Sequence, residues 1–220
     1  MARVVVFGTG QIAEVAWFYL THDSPHEVVA FTVDRAYMAA PTFRGLPVVP
    51  FDEVERAYPP NTHQMFVSIS YQQINRLRET KYNEARAKGF SLLTYVSSRA
   101  TVWPGALIGD NCFIFEDNTI QPFTRIGNNV VMWSGNHLGH HSTIEDHVFV
   151  SSHVVISGGV TIGARSFLGV NASIRDNITL GAATVVGMGA MVVKSTEPGD
   201  VVVGTPARRL DKRSDQLDRI

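Results

Sequence analysis

Between residues 95 and 196 an aliphatic side chain returns at every sixth position without a break. The series runs Val96, Val102, Ile108, Ile114, Ile120, Ile126, Met132, Leu138, Ile144, Val150, Ile156, Ile162, Leu168, Ile174, Leu180, Val186 and Val192. At the end of each six the residue is mostly small or short, as at Ala100, Ala106, Cys112, Thr124, Ser142, Ser166, Ala172, Thr184 and Ala190. Amphipathic helices and alternating strands have other periods, so neither accounts for six. A strict repeat of this kind marks a parallel β-solenoid, whose units bury a continuous core only by stacking. One inward aliphatic per six residues fits flat faces meeting at corners. Three faces make a triangular coil of about eighteen residues, with coils about 4.8 Å apart, the inter-strand spacing.

Before residue 95 the sixes vanish, and strands alternate with helical stretches in the manner of a βαβ unit with a parallel sheet. Strands are expected at 3–7, 27–33, 46–49 and 65–69, with a helix running to about Leu20 and a charged helix over 73–88 that Gly89 stops. The first strand leads into Gly8-Thr9-Gly10-Gln11-Ile12-Ala13. Gly-x-Gly-x-x-Ala between a strand and a helix is the phosphate-cradling turn of Rossmann-like domains, where glycines admit the ligand to the backbone and the helix N-terminus attracts anions. Asp34, at the end of the second strand, is placed to accept hydrogen bonds from a ribose or base. The domain is too small for a full dinucleotide fold, so the readings are a nucleotide or nucleotide sugar held by Gly8, Gly10 and Asp34, or a merely structural tight turn. The resulting organisation is an α/β Rossmann-like domain over 1–92, an all-β parallel helix over 93–198 and a tail over 199–220, with 211–220 polar and frayed.

Charge and composition narrow the partners. Lys and Arg number 19 against 20 Asp and Glu, a net charge of -1 with no basic excess, which gives no basis for nucleic-acid binding. Only one cysteine, Cys112, is present, at a small-residue place, so it reads as core filler and no internal disulfide can form. The opening MARVVVFGTG is too short in apolar residues for a signal peptide or membrane span, and a cytoplasmic protein is expected.

Of eight histidines, five fall between 137 and 153: His137, His140, His141, His147 and His153. His140 and His141 occupy the fourth and fifth places of their six. One coil later Ser157-Gly158-Gly159 lies against them, so Gly158 is the stacked neighbour of His140, and Pro122 is its neighbour on the coil before. A histidine beside a glycine shelf leaves room for an acyl thioester, and backbone N–H groups of the shelf are suited to an oxyanion. The competing readings are a metal site from His137, His140 and His141, or plain surface histidines. Alternation along a strand would aim His140 and His141 oppositely, which disfavours the metal. His147 and His153 read as solvated or interface residues.

The sixes, the segment Asn136-His137-Leu138-Gly139-His140-His141-Ser142, the later Ser157-Gly158-Gly159 and the ending Gly204-Thr205-Pro206-Ala207-Arg208 resemble the left-handed β-helix acetyltransferases. With the N-terminal Gly8-Thr9-Gly10, the chain is similar to the branch of sialic-acid O-acetyltransferases and of bacillosamine and perosamine N-acetyltransferases. The resemblance implies acetyl transfer from acetyl-CoA to a nucleotide-activated sugar, and a homotrimer with active sites between neighbouring β-helices. It puts the catalytic histidine at His140 and the glycine lining the thioester at Gly158. Two positions depart from it. The acidic residue that follows the histidine is His141 here, a second catalytic candidate whose role would be orientation or packing, with Glu116, Asp117 or Glu145 as further groups to orient His140, and the asparagine seven residues before is Trp133.

The expected mechanism is direct transfer without metal or acyl-enzyme, with Gly187, Gly189, Lys194 and Arg208 beside the pantetheine arm and phosphates of acetyl-CoA. An amino group is favoured as acceptor. A hydroxyl acceptor is the alternative, and a non-catalytic nucleotide-sugar-binding protein the alternative of another class. Trp103, Phe115 and Trp133 are expected on the surface that packs against symmetry mates.

Overall fold

The computed structural model describes residues 1–217, which divide into two compact units. The first holds Met1–Ser70 and Arg78–Tyr95; the second holds Tyr71–Leu77 and the chain from Val96 onward.

The first unit is built on a six-stranded sheet. Its strands are β1 (Arg3–Phe7), β2 (Glu27–Val33), β3 (Thr42–Phe43), β4 (Leu46–Pro50), β5 (Gln64–Val67) and β6 (Ser91–Leu92), in the order β3-β4-β2-β1-β5-β6. All pair in parallel except the β3–β4 hairpin. Val4, Val5 and Val6 of the central β1 are fully buried, as expected of a parallel strand covered on both faces. Helices α1 (Gln11–His22), α2 (Val54–Ala57) and α3 (Arg76–Ala87) accompany the sheet.

Helix α3 starts at Arg76 rather than at 73. Gln73, Ile74 and Asn75 have φ of 53°, 52° and 62°, which a right-handed helix excludes. Residues 71–77 serve the second unit instead. The Asn75 amide donates to the carbonyls of Arg165 and Ser166 at 3.0 and 3.2 Å, and the Tyr71 ring packs edge-on against Phe149 and Phe167.

The second unit is a stack of two-residue strands in three parallel sheets. Each strand pairs with one eighteen residues on: Thr119 with His137, His137 with Val155, and Arg125 with Thr143. From Ile114 onward the second-place aliphatics line the interior, with Ile120, Leu138, Ile144, Ile156 and Ile162 at 0% exposure, whereas Val102 near the start of the stack is exposed. Full burial of each such side chain stabilises by about 1.5–3 kcal/mol.

The sixth place must satisfy turn backbone as well as fit. Ser142 Oγ donates to the Ser157 carbonyl at 2.9 Å and accepts from the Val160 N–H at 3.1 Å. Ser166 repeats the bridge to Gly181 and Thr184. These groups are buried, and an unmade bond there would cost stability.

Two expectations about the ends of the repeat need correction. The stack continues past residue 196: Val201–Val203 adds to the first sheet, with Val185 paired to Val201, and Arg208–Arg209 pairs back antiparallel to it. The described part of the tail is also not frayed. Arg213 bonds Asp200 Oδ1 at 2.5 Å and the Pro198 carbonyl, the Ser214 N–H donates to Gly199, and Ser214 is buried. The basic arginine finds a carboxylate whose side chain is only 6% exposed, which composition could not foretell. Residues 218–220 of the expected frayed tail lie outside the described residues.

Candidate active site

The strand His137–Leu138 ends at Gly139, and the chain turns there from the second sheet to the third. Successive coils stack the same corner: Pro122 and Phe123, His140 and His141, Gly158 and Gly159, Asp176 and Asn177, Lys194 and Ser195. His140 and His141 are both turn residues, His141 with φ of 59°. Strand alternation therefore does not separate them. Their rings meet, with Nδ1 to Nδ1 at 3.1 Å and ring planes at 84°. The far side of His141 rests on the Phe123 ring, centroids 4.9 Å apart.

His140 is held by its backbone from both neighbouring coils. Its N–H donates to Gln121 Oε1 at 2.9 Å, and its carbonyl accepts from the Gly159 N–H at 2.9 Å. The imidazole lies directly over Gly158. A Cβ at Gly158 would stand 2.6 Å from His140 Cε1 and 2.9 Å from Nε2, so any other residue would displace the ring. The shelf presents one N–H rather than two, because that of Gly159 is committed to His140, whereas that of Gly158 has no acceptor among the described residues.

Among the described residues the His140 ring bonds only to His141. Of the proposed orienting carboxylates, Glu145 Oε2 instead accepts from the Ala164 N–H at 2.8 Å, and neither Glu116 nor Asp117 bonds the ring. His137 stands outward on the second sheet between Thr119 and Val155, apart from the turn. His147 belongs to a buried ladder in which Asn111 bonds Asn129 and Asn129 bonds His147 at 2.9 Å. No three metal-binding side chains converge among the described residues.

The residues assigned to acetyl-CoA fall on separate lines. Gly158 and Lys194 share the corner of His140, Lys194 three coils on, or about 14 Å at the usual strand spacing. Gly187 belongs to the first sheet, its N–H donating to Val202, and Gly189 lies at the following corner with open space beside it. Arg208 is exposed in the terminal hairpin. Phe115, expected at the surface, is 2% exposed; it stacks on Trp133 at 4.8 Å, while Trp103 is 54% exposed.

In the first unit the turn after β1 forms as the glycines suggest. Gly8 has φ of 121°, and a Cβ there would meet Ala13 and Ser68 at 3.2 Å. Gly10 caps α1 and faces open space. Asp34 follows β2, where Lys81 Nζ bridges Asp34 Oδ1 at 2.8 Å and Glu84 at 2.7 Å. Burial works against the charge of Lys81, yet the two carboxylates raise its pKa above the ordinary value. Asp34 lines a cavity of about 390 Å³ with Arg35, Phe51, Asp52, Glu84, Ala87 and Lys88. Gly8 and Gly10 are not among its walls.

No family model and no curated protein matches the chain. Solved structures do. The acetyltransferase domain of PglB from Neisseria gonorrhoeae superposes with a TM-score of 0.85 at 25% identity, over 96% of this chain and 100% of that one. It has also been solved with acetyl coenzyme A. A variant of perosamine N-acetyltransferase from Caulobacter crescentus, bound to CoA and GDP-perosamine, gives 0.85 at 28% identity over 96% and 98%. WeeI from Acinetobacter baumannii shares the fold at 0.75 and 21% identity, over 96% and 100%.

With these neighbours, the stacked parallel strands and the histidine corner are those of an acetyl-CoA-dependent sugar acetyltransferase. Within that class the chain is most like the PglB domain and perosamine N-acetyltransferase among the structures named here, in line with its sequence resemblance.

Proposed function

We propose that this chain moves the acetyl group of acetyl-CoA to the amino group of a nucleotide-linked amino sugar, with His140 as general base. The observation that carries the reading is the His140 imidazole lying on Gly158, where only glycine leaves the ring its place. The acceptor nitrogen attacks the thioester carbonyl, and the Gly158 N–H is available to the oxygen that gains charge. Nε2 takes the proton from nitrogen, the carbon–sulfur bond breaks, and the proton passes to the departing sulfur.

The lack of a carboxylate on the His140 ring favours nitrogen over oxygen as acceptor. An amine attacks while neutral and then needs only to lose a proton, a smaller demand on the base than activating a hydroxyl. One solved relative, named for an N-acetyl transfer and bound to CoA and GDP-perosamine, points the same way.

The N-terminal unit is read as a Rossmann-like holder for the nucleotide, through the Gly8–Gly10 turn and Asp34. The parallel helix is read as left-handed and trimeric. Trimerisation would let Gly158 and Lys194 of one chain face the Gly187 and Gly189 edge of another, which accounts for acetyl-CoA residues lying on different edges. Both substrates are metabolites of the cytoplasm, which fits the expected location. The test is coenzyme A release, followed with a thiol reagent, across a panel of nucleotide-linked amino sugars. Release with at least one amino sugar and not with its N-acetylated form is expected. Release with none would overturn the proposal.

A further inference from the structure

We infer that His141 is a positioning residue that fixes the tautomer of His140, so that the base belongs to a histidine–histidine pair and not to a histidine–carboxylate pair. The inference rests on the reading of His140 as base. A 3.1 Å contact between two Nδ1 atoms holds one proton: one ring donates and the other accepts. If His140 donates, its Nδ1 carries the hydrogen and its Nε2 keeps the lone pair that a base requires. If His141 donates, the proton on neutral His140 sits on Nε2, and that nitrogen is useless as a base.

Only the first arrangement leaves on Nε2 the lone pair that the proposed chemistry requires. The His140 ring lies over Gly158, with Nε2 2.9 Å and Nδ1 3.1 Å from where a Cβ at Gly158 would stand. The Phe123 ring packs against His141, centroids 4.9 Å apart, and restrains the ring that meets His140. His141 has a left-handed backbone, φ 59°, and its ring meets that of His140 where a strand would impose alternation.

An imidazole in this role behaves unlike a carboxylate. It accepts the hydrogen bond only while neutral, and it adds no negative charge to stabilise the imidazolium formed during transfer. Protonation of either ring therefore removes the lone pair at Nε2 or the bond that maintains it. Among the described residues, no charged side chain occupies the same corner on the coil before or after the pair. The preceding coil offers Pro122 and Phe123, and the following coil offers Gly158 and Gly159. Asp176, paired with Asn177 and Arg175, comes two coils on and Lys194 three. Arg125 and Glu145 belong to the adjoining third sheet, and Arg175 to the second.

Three replacements at 141 tolerate a left-handed backbone, so strain does not confound them. His141→Asn keeps an acceptor, His141→Asp supplies a charged one, and His141→Gly supplies none. Turnover should fall at least about tenfold in His141→Gly, be largely retained in His141→Asn, and leave acetyl-CoA affinity unchanged in both. In His141→Asp the carboxylate stabilises the His140 imidazolium, so the acid limb of the rate should move to higher pH by about one unit or more. Nitrogen NMR of labelled imidazoles reads the tautomer without any turnover. Neutral His140 should carry its hydrogen on Nδ1 in the wild type and revert to Nε2 in His141→Gly. Hydrogen on Nε2 in the wild type, or equal turnover in the Gly and Asn variants, would overturn the inference. If no sugar is acetylated, the proposed activity fails, and the tautomer spectrum still decides the role of His141.

Discussion

Space, more than charge, makes His140 special. Its ring occupies the volume that a side chain at Gly158 would fill, with 2.6 Å between Cε1 and the nearest possible Cβ. Gly158→Ala should leave the stack folded, because a mobile ring can swing aside, but should lower turnover by about 100-fold or more by unseating the base. Steady-state kinetics beside circular dichroism would test this; normal turnover in a folded variant would contradict it. The pairing of His140 with Gly158 was legible in the sequence because it follows from a period of eighteen and nothing else. The contact with His141 was not. It depends on left-handed turn geometry, which hydrophobic periodicity does not encode. A signal existed nonetheless in the fifth place of each six, where Asn111, Asp117, Asn129, His141, His147, His153, Asn171 and Asn177 all have positive φ. Asparagine, aspartate and histidine are the non-glycine residues that best tolerate it. Several histidines of the cluster therefore owe their place to backbone conformation, and their number overstated the chemistry.

Each coil is held by its inward aliphatic and by the short polar residue that closes its corner. Smallness at the sixth place was visible in the sequence, whereas the hydrogen bonds made by Ser142 and Ser166 depend on which backbone groups the corner leaves unpaired. Ser142→Ala removes the bridge between the Ser157 carbonyl and the Val160 N–H, both in the coil that carries Gly158. A loss of about 1–3 kcal/mol is expected, read as a fall in the midpoint of thermal unfolding. An unchanged midpoint would mean that water or the backbone replaces the bridge. The far end of the stack shows the limit of reading elements from composition. The polar tail looked free, yet Arg213 ties it to Asp200. An ion pair between residues 13 apart leaves no mark in hydrophobic pattern.

At the scale of the molecule, two units carry two ligands in this account, and that division can be tested. Gly10 faces open space, so Gly10→Val should fold, unlike a substitution at Gly8, which would press on Ala13 and Ser68. Calorimetry should show weakened binding of the nucleotide sugar with acetyl-CoA binding intact; equal loss of both would return the turn to a structural role. The β-helix was legible almost residue by residue because every coil repeats one physical rule. The N-terminal unit was legible in its main strands but not at residues 71–77, which pack against the helix stack through Tyr71 and Asn75 and carry no periodic signal. Assembly is the remaining large-scale expectation. Sedimentation at micromolar concentration should give a trimer, and a monomer alone would remove the shared site from the account.

The central claim is that His140 directs an acetyl group from acetyl-CoA onto the nitrogen of a nucleotide-linked sugar. The most direct measurement is a single-turnover transfer from acetyl-labelled coenzyme A, with the product resolved by mass spectrometry and NMR, for the wild type and His140→Asn. The account predicts label in an amide on the sugar, and a rate about 100- to 10,000-fold lower in the variant with acetyl-CoA binding nearly unchanged. Label on a sugar oxygen, or equal rates in the two proteins, would contradict it.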